Sequence, residues 1–199
     1  MLARTTLSLG TALLAAALLA PGCSAYRSSD GDGAAPRTLA QESEQALARM
    51  RAADASLSGF FDRAYAYAVF PSIAKGAAGI GAANGDGVAY LRTPGGFRAV
   101  GTAEVTQVTL GFQLGGQNLS QIVFFQDRTA FDTFARNQLE FAANASAVGV
   151  RQGAAASSDF EAGVAVFVQP REGLMLEAAI GGQRLSYQPY AGGGVTTLP

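Results

Sequence analysis

The chain has 199 residues, 14 basic against 15 acidic for a net charge of −1, no histidine and one cysteine. The balanced charge argues against a nucleic-acid binder, and the lack of histidine removes the usual general base, the commonest metal ligand and every Ser-His or Cys-His arrangement. A lone cysteine makes no internal disulfide, and 25 glycines recurring in apolar stretches, with only 15% charged residues, favour a β-rich domain over a helical bundle.

Residues 1–22 read as an address rather than as fold. Arg4 gives a positive start, Leu7 to Ala20 is an apolar run short for a bilayer span, and Ala20-Pro21-Gly22 sets small residues before Cys23. This order resembles a bacterial lipoprotein signal, in which the thiol is diacylglycerol-modified and becomes the mature N-terminus, although Ala20 stands where leucine is usual. The alternative is an ordinary secreted protein with a spare cysteine. Ser24 in place of aspartate after the cysteine directs the expectation to the outer membrane, facing the periplasm. Without Arg4 the mature chain carries 13 basic and 15 acidic groups, a net charge of −2. Residues 23–37 are Ser-, Gly-, Asp- and Pro-bearing with almost no apolar side chains, which predicts a flexible tether.

A domain is expected over residues 38–190. Thr38-Leu39-Ala40-Gln41 has the form of a capping box. Leu39, Ala46, Met50, Ala53 and Leu57 draw one apolar stripe, so a helix is predicted over about 38–57. Leu57, Phe60, Phe61 and Ala64 continue the spacing across Gly59 as a second short helix or a kinked continuation. Near a lipid anchor such a helix suits a membrane surface. Its mixed polar face, with Glu42, Glu44, Arg49, Arg51 and Asp54, fits packing on a sheet better.

The stretch from Tyr65 to Tyr90 reads as a strand, a corner at Phe70-Pro71, a glycine-rich strand and a turn. Proline lacks a backbone donor and is confined to strand ends, edges and bulges. Gly76, Gly79 and Gly81 suit close backbone approach, and Asn84-Gly85-Asp86-Gly87 predicts a tight hairpin turn. Val108, Leu110, Phe112 and Leu114 alternate with Gln107, Thr109, Gly111 and Gln113, the pattern of a strand with an apolar core face and a polar wet face. Phe160, Ala162, Val164, Val166 and Val168 alternate likewise, as do Leu174, Leu176, Ala178 and Ile180. One internal helix is predicted, N-capped by Asp127 and burying Phe131 and Phe134. The expected fold is α+β, a mainly antiparallel sheet curled into a sandwich or barrel-like layer, with N-terminal helices, one internal helix and a loose tail over 191–199.

Enzymatic readings are weak. Ser72-Ile73-Ala74-Lys75 matches Ser-x-x-Lys, but that motif opens a helix, and Lys75, the only lysine, leaves none for a Lys-Thr-Gly partner. Gly79-Ile80-Gly81 with Gly85 lacks the third glycine and the helix of a dinucleotide fingerprint. Glu161 and Glu177 pose as paired carboxylates only if their strands are neighbours. Asp30 and Asp32 resemble a fragment of a calcium loop without its closing acid. No catalytic residues, metal ligands or cofactors are assigned.

Together the Tyr65–Tyr90 stretch, Thr109-Leu110-Gly111-Phe112-Gln113-Leu114-Gly115-Gly116-Gln117, the Ile122–Phe125 run followed by Asp127–Phe134, the Asn144–Val150 small-residue strand and Gly173-Leu174-Met175-Leu176-Glu177 resemble the SYLF domain, also called Ysc84 or DUF500, over about residues 38–190. The family's usual Trp after its second strand is replaced by Gly95-Gly96-Phe97-Arg98. The resemblance implies a module that binds membrane phospholipid, notably phosphoinositide-type headgroups. An anionic headgroup needs cations gathered at a surface, and Lys75, Arg63, Arg92 and Arg98 flank the central stretch as candidates. The other reading is a structural envelope lipoprotein with a protein or cell-wall partner.

Overall fold

The computed structural model describes residues 37–142, 147–149 and 151–191. The expected signal, Cys23, all of the expected tether but Arg37, and the expected tail beyond Ala191 lie outside the described residues, as does most of the strand expected over Asn144–Val150. From Pro36 onward the chain is one compact unit. Helix α1 spans Leu39–Ala53 and starts in the expected capping box: the Thr38 side chain accepts from the Gln41 N–H while the Gln41 side chain accepts from the Thr38 N–H. It stops at Asp54, earlier than predicted. Extended backbone there turns the chain into a short 3-10 turn, Ala55–Leu57, and then helix α2, Ser58–Arg63.

The Asp54 carboxylate, 1% exposed, accepts from the backbone N–H groups of Ser56, Gly153 and Ala155. It thereby ties the helical segment to a loop about a hundred residues later, where a second 3-10 turn spans Ala155–Ser157.

The remainder is a mainly antiparallel sheet curled as a half-barrel, an α+β architecture. Its described strands are β1 Ala66–Thr93, β2 Gly96–Phe125, β3 Leu139–Ala142, β4 Ala147–Gly149 and β5 Val164–Pro189, in the order β1-β2-β5-β3, with β4 parallel to β5. Helix α3, Arg128–Ala135, intervenes after β2, capped by the Asp127 side chain accepting from the Ala130 N–H, as expected.

Strands of 28, 30 and 26 residues would each run roughly 80–100 Å if straight. They bend instead. A Cβ at Gly85 would lie 2.6 Å from the Ser72 carbonyl oxygen, and one at Gly87 would lie 2.5 Å from that of Val69. Residues 69–73 and 85–87 of one strand therefore face each other, and β1 turns back near Ala78–Ile80, where its register with β2 shifts. This corrects the hairpin expected at Asn84–Gly87. Those residues are strand, and their glycines serve close approach. The β1–β2 turn is at Pro94-Gly95, with Gly96 at φ +115.

The two limbs of the curled sheet enclose one core, including Phe70, Ile73, Val105, Val123, Phe125 and Leu185, closed by Phe131 and Phe134 of α3. The rings of Phe125 and Phe134 stack at 4.8 Å. A second core lies on the outer face of the first limb, where Ala46, Met50, Leu57, Phe60 and Phe61 of the helical segment cover Tyr67, Val69, Ile122, Phe124 and Phe167. Pro71 makes the expected corner as a bulge: Phe70 pairs with Gln121 but Ile73 with Leu119, so β1 carries one extra residue there. The Pro71 carbonyl accepts from the Ser120 hydroxyl at 2.7 Å and from Arg171 at 3.2 Å.

Candidate functional site

The four basic residues expected around the central stretch are not gathered into one patch. Arg63, at the end of α2, donates to the Gly59 carbonyl and pairs with Asp159 at 2.9 Å, its guanidinium also lying over the rings of Phe60 and Phe160. Arg92 donates to the carbonyls of Ala64, Phe61 and Asp62 and covers the Phe97 ring at 4.6 Å. Both arginines hold α2 in place. Arg92 pairs with Phe97 in the ladder and Arg98 with Leu91, so the two point to opposite faces of the sheet. Arg98 is exposed, whereas Lys75, across from Gln117, is 8% exposed on the inner face. Phe97 stands in the segment where the SYLF pattern has its Trp, and packs on Tyr67 at 4.7 Å.

Where the sheet turns back, its polarity is the reverse of the expected alternation. Gln107 and Thr109 are buried, at 8% and 1% exposure, while Val108, Leu110 and Leu114 are 55%, 61% and 62% exposed, and Ile80 is 66% exposed. Ile80 pairs with Leu110, and Leu110 in turn with Ile180 of β5. The exposed positions of β1 beside them are Ala74, Gly76, Ala78 and Ala82, so the outer face of β1 carries no charge from Ala74 until Asp86. Inside, the Gln183 side-chain amide donates to Gln121 at 3.1 Å, and Gln107 pairs with Gln183 in the ladder. On the inner face of β1, Gly81 and Ala83 follow the buried Lys75. The large residues project outward.

Arg37 lies before α1, Arg49 on α1 and Arg171 on β5. Burial first, then repulsion from Arg171 and Arg37, holds the Arg49 guanidinium below the usual arginine range. The ion pairs of the described residues join Arg63 to Asp159, Arg128 to Asp132 and Arg184 to Glu140, and none takes in these three arginines.

The other concavities offer less. A cavity of about 360 Å³ at the start of β5 is lined by Glu140, Asp159, Glu161, Ser157 and Ser158, but Arg184 and Arg63 already neutralise two of its carboxylates. Glu161 lies in the bend before β5 and Glu177 midway along the same strand, so they are not carboxylates of neighbouring strands. Ser72 donates to Asn118 at 3.0 Å from an extended strand, without the helix that a Ser-x-x-Lys nucleophile needs.

No helix among the described residues is long and apolar enough to cross a membrane. No family model matches the chain. It is similar to the curated "Beta cell expansion factor A" of Aeromonas veronii, with 28% identity over 141 residues, which make up 71% of this chain and 52% of that protein. The chain thus spans about half the length of the curated relative that it matches.

Proposed function

We propose that this is an envelope lipoprotein, anchored through Cys23, whose SYLF-like domain binds phospholipid bilayers, and that the end of the curled sheet bearing Ile80, Val108, Leu110 and Leu114 is the surface that enters the lipid. The observation that carries the reading is the inversion itself. Four large aliphatic side chains more than half exposed on one uncharged sheet face are costly in water, about 25 cal/mol for each Å² of apolar surface left wet, and acyl chains relieve that cost. Chemistry favours a bilayer as the occupant, since β2 has no charged residue from Val105 to Phe125. The tether supports it too: the fourteen residues from Ser24 to Arg37 reach at most about 50 Å, which keeps the domain near the membrane that holds Cys23. In this reading the two limbs form the sandwich- or barrel-like body and the reversed end its lipid-facing tip. Lipid entry is led by apolar contact, with Arg98 exposed at the surface.

The test is cosedimentation of the full chain, carrying Cys23→Ala so that no acyl group contributes, with phosphatidylcholine vesicles and with vesicles that also contain phosphatidylglycerol. Binding to both types is expected. Absence of binding to either removes the lipid reading and leaves a structural lipoprotein with a protein or cell-wall partner.

A further inference from the structure

We infer that Gln107, Gln121 and Gln183 enclose a binding site for a small hydrogen-bond acceptor, a water molecule or a halide ion, between the two limbs of the curled sheet. The inference is independent of the membrane reading. Gln121 lies in the first limb, and Gln107 and Gln183 lie in the limb that returns. All three are more than nine-tenths buried, at 8% exposure for Gln107 and 3% for each of the others. The Gln183 amide donates to the Gln121 side-chain oxygen at 3.1 Å, which joins the limbs. Gln107 stands directly opposite Gln183 in the ladder, a pairing that sets their Cβ atoms about 5 Å apart. One hydrogen bond and one ladder pairing thus bring the three amides together.

The set is short of acceptors. The side-chain nitrogens of Gln107 and Gln121 are both sealed from bulk solvent, and neither has a hydrogen-bond partner among the described residues. Their neighbours in the ladder bring none: Gln121 stands between Phe70 and Val168, and Gln107 has Ala83 on the side away from Gln183. A buried donor left unmade costs its full desolvation, so folded interiors pair nearly all such groups, with an enclosed guest where no protein atom is in reach. Each amide nitrogen carries two N–H groups and no charge. A water oxygen or a halide accepts from several N–H groups at once, and either is small enough to sit between packed limbs. Val108, next to Gln107, projects outward and is 55% exposed, so the guest underlies the aliphatic face and couples the limbs at that level.

The sign of one substitution tests the site. Gln107→Met, in the full Cys23→Ala chain, replaces an amide whose nitrogen donates to no described protein atom by an apolar side chain of similar shape. Where such a donor has no guest, the change holds or raises the thermal midpoint; where it holds an acceptor, the midpoint falls, here by roughly 2–4 °C. The fall is the expected result, and a midpoint equal to or above the parent's overturns the site. Melts in sodium chloride, bromide and acetate at equal ionic strength identify the guest. A rise in both halides that the parent shows and the variant lacks assigns a halide, and any other pattern assigns water. Should the variant fail to fold, a crystal structure of the parent chain grown with bromide decides. Density within about 3 Å of at least one of the two nitrogens upholds the site, anomalous for bromide and ordinary for water, and density at neither overturns it.

Discussion

Arg92, next to last in β1, donates from its Nε to the carbonyl of Ala64 at 2.8 Å, the residue that ends α2. The same guanidinium reaches the carbonyls of Phe61 and Asp62, and the Arg92 backbone N–H donates to the Tyr65 carbonyl at 3.0 Å. One residue thus satisfies the carbonyls left over at a helix end and closes the far end of a strand onto its own beginning. Arg92→Ala is expected to destabilise the domain by about 1–2 kcal/mol, less than a fully buried charged hydrogen-bond set because the side chain is exposed. Arg98→Ala should cost little. Urea denaturation of the two variants separates them, and equal midpoints would count against a latch at Arg92.

Gly87 and Gly76 make a second paired test. A Cβ at Gly87 would lie 2.5 Å from the Val69 oxygen and 2.7 Å from the Phe70 ring, while one at Gly76 meets nothing within 4 Å. Gly87→Ala should therefore lower stability by roughly 1–3 kcal/mol, through forced separation of the limbs, and Gly76→Ala should be tolerated. Thermal melts of both variants give the answer. A neutral Gly87→Ala would mean that the limbs do not approach as described.

Asp54 supplies a pH dependence. Burial pushes its carboxyl up, but the Ser56 hydroxyl and the N–H groups of Ala155, Ser56 and Gly153 outweigh this and hold it below the ordinary carboxylate range. Because the folded pKa is depressed, the contribution to stability is present above the unfolded value near 3.9 and is lost as pH falls through the folded value. Asp54→Asn should be less stable than the parent at neutral pH and show a shallower fall on acidification. The measurement is the denaturation midpoint from neutral pH down to about 2. Parallel curves for the two proteins would remove Asp54 as a cause.

The exposed end predicts an uncoupling of stability from binding. Leu110→Ser with Leu114→Ser removes large side chains that are more than half exposed, so the unfolding midpoint should hold or rise slightly while sedimentation with vesicles drops. A loss of stability comparable to that of a core variant would show that these side chains are covered in solution, as in a self-associated form, and gel filtration would then show the larger species.

For the anchor, Cys23→Ala in cells should leave the protein in the soluble fraction or as unprocessed precursor. Equal membrane recovery with and without the thiol would end the lipoprotein reading.

Local signals were legible and distant ones were not. Thr38 with Gln41, and Asp127 before Phe131 and Phe134, are readable because a cap and its helix lie within a few residues of each other. At Gly85 and Gly87 the same residue type serves a turn or a close approach, and only the return of residues 69–73 to the same place decides between them. The alternation over 107–114 correctly implied a strand, but a period of two carries no sign. Which set faces inward depends on where the sheet bends back, around Ala78–Ile80.

The bulge at Pro71 also governs which changes of length this fold can absorb. Before it the residues of β1 that face the inner core are even-numbered, Ala66, Ala68 and Phe70, and after it they are odd, Ile73 and Ala83. The corner acts like a shift of reading frame. Removing one residue there would transpose everything up to the turn, driving Ile80 between the limbs and forcing Lys75 out. Near Ala78 and Ile80, by contrast, β2 carries two more residues than β1, an even offset that leaves both frames intact. Insertions and deletions in pairs at the reversed end should therefore be neutral for the body of the domain, so that this end can lengthen or shorten without the rest of the molecule being rebuilt.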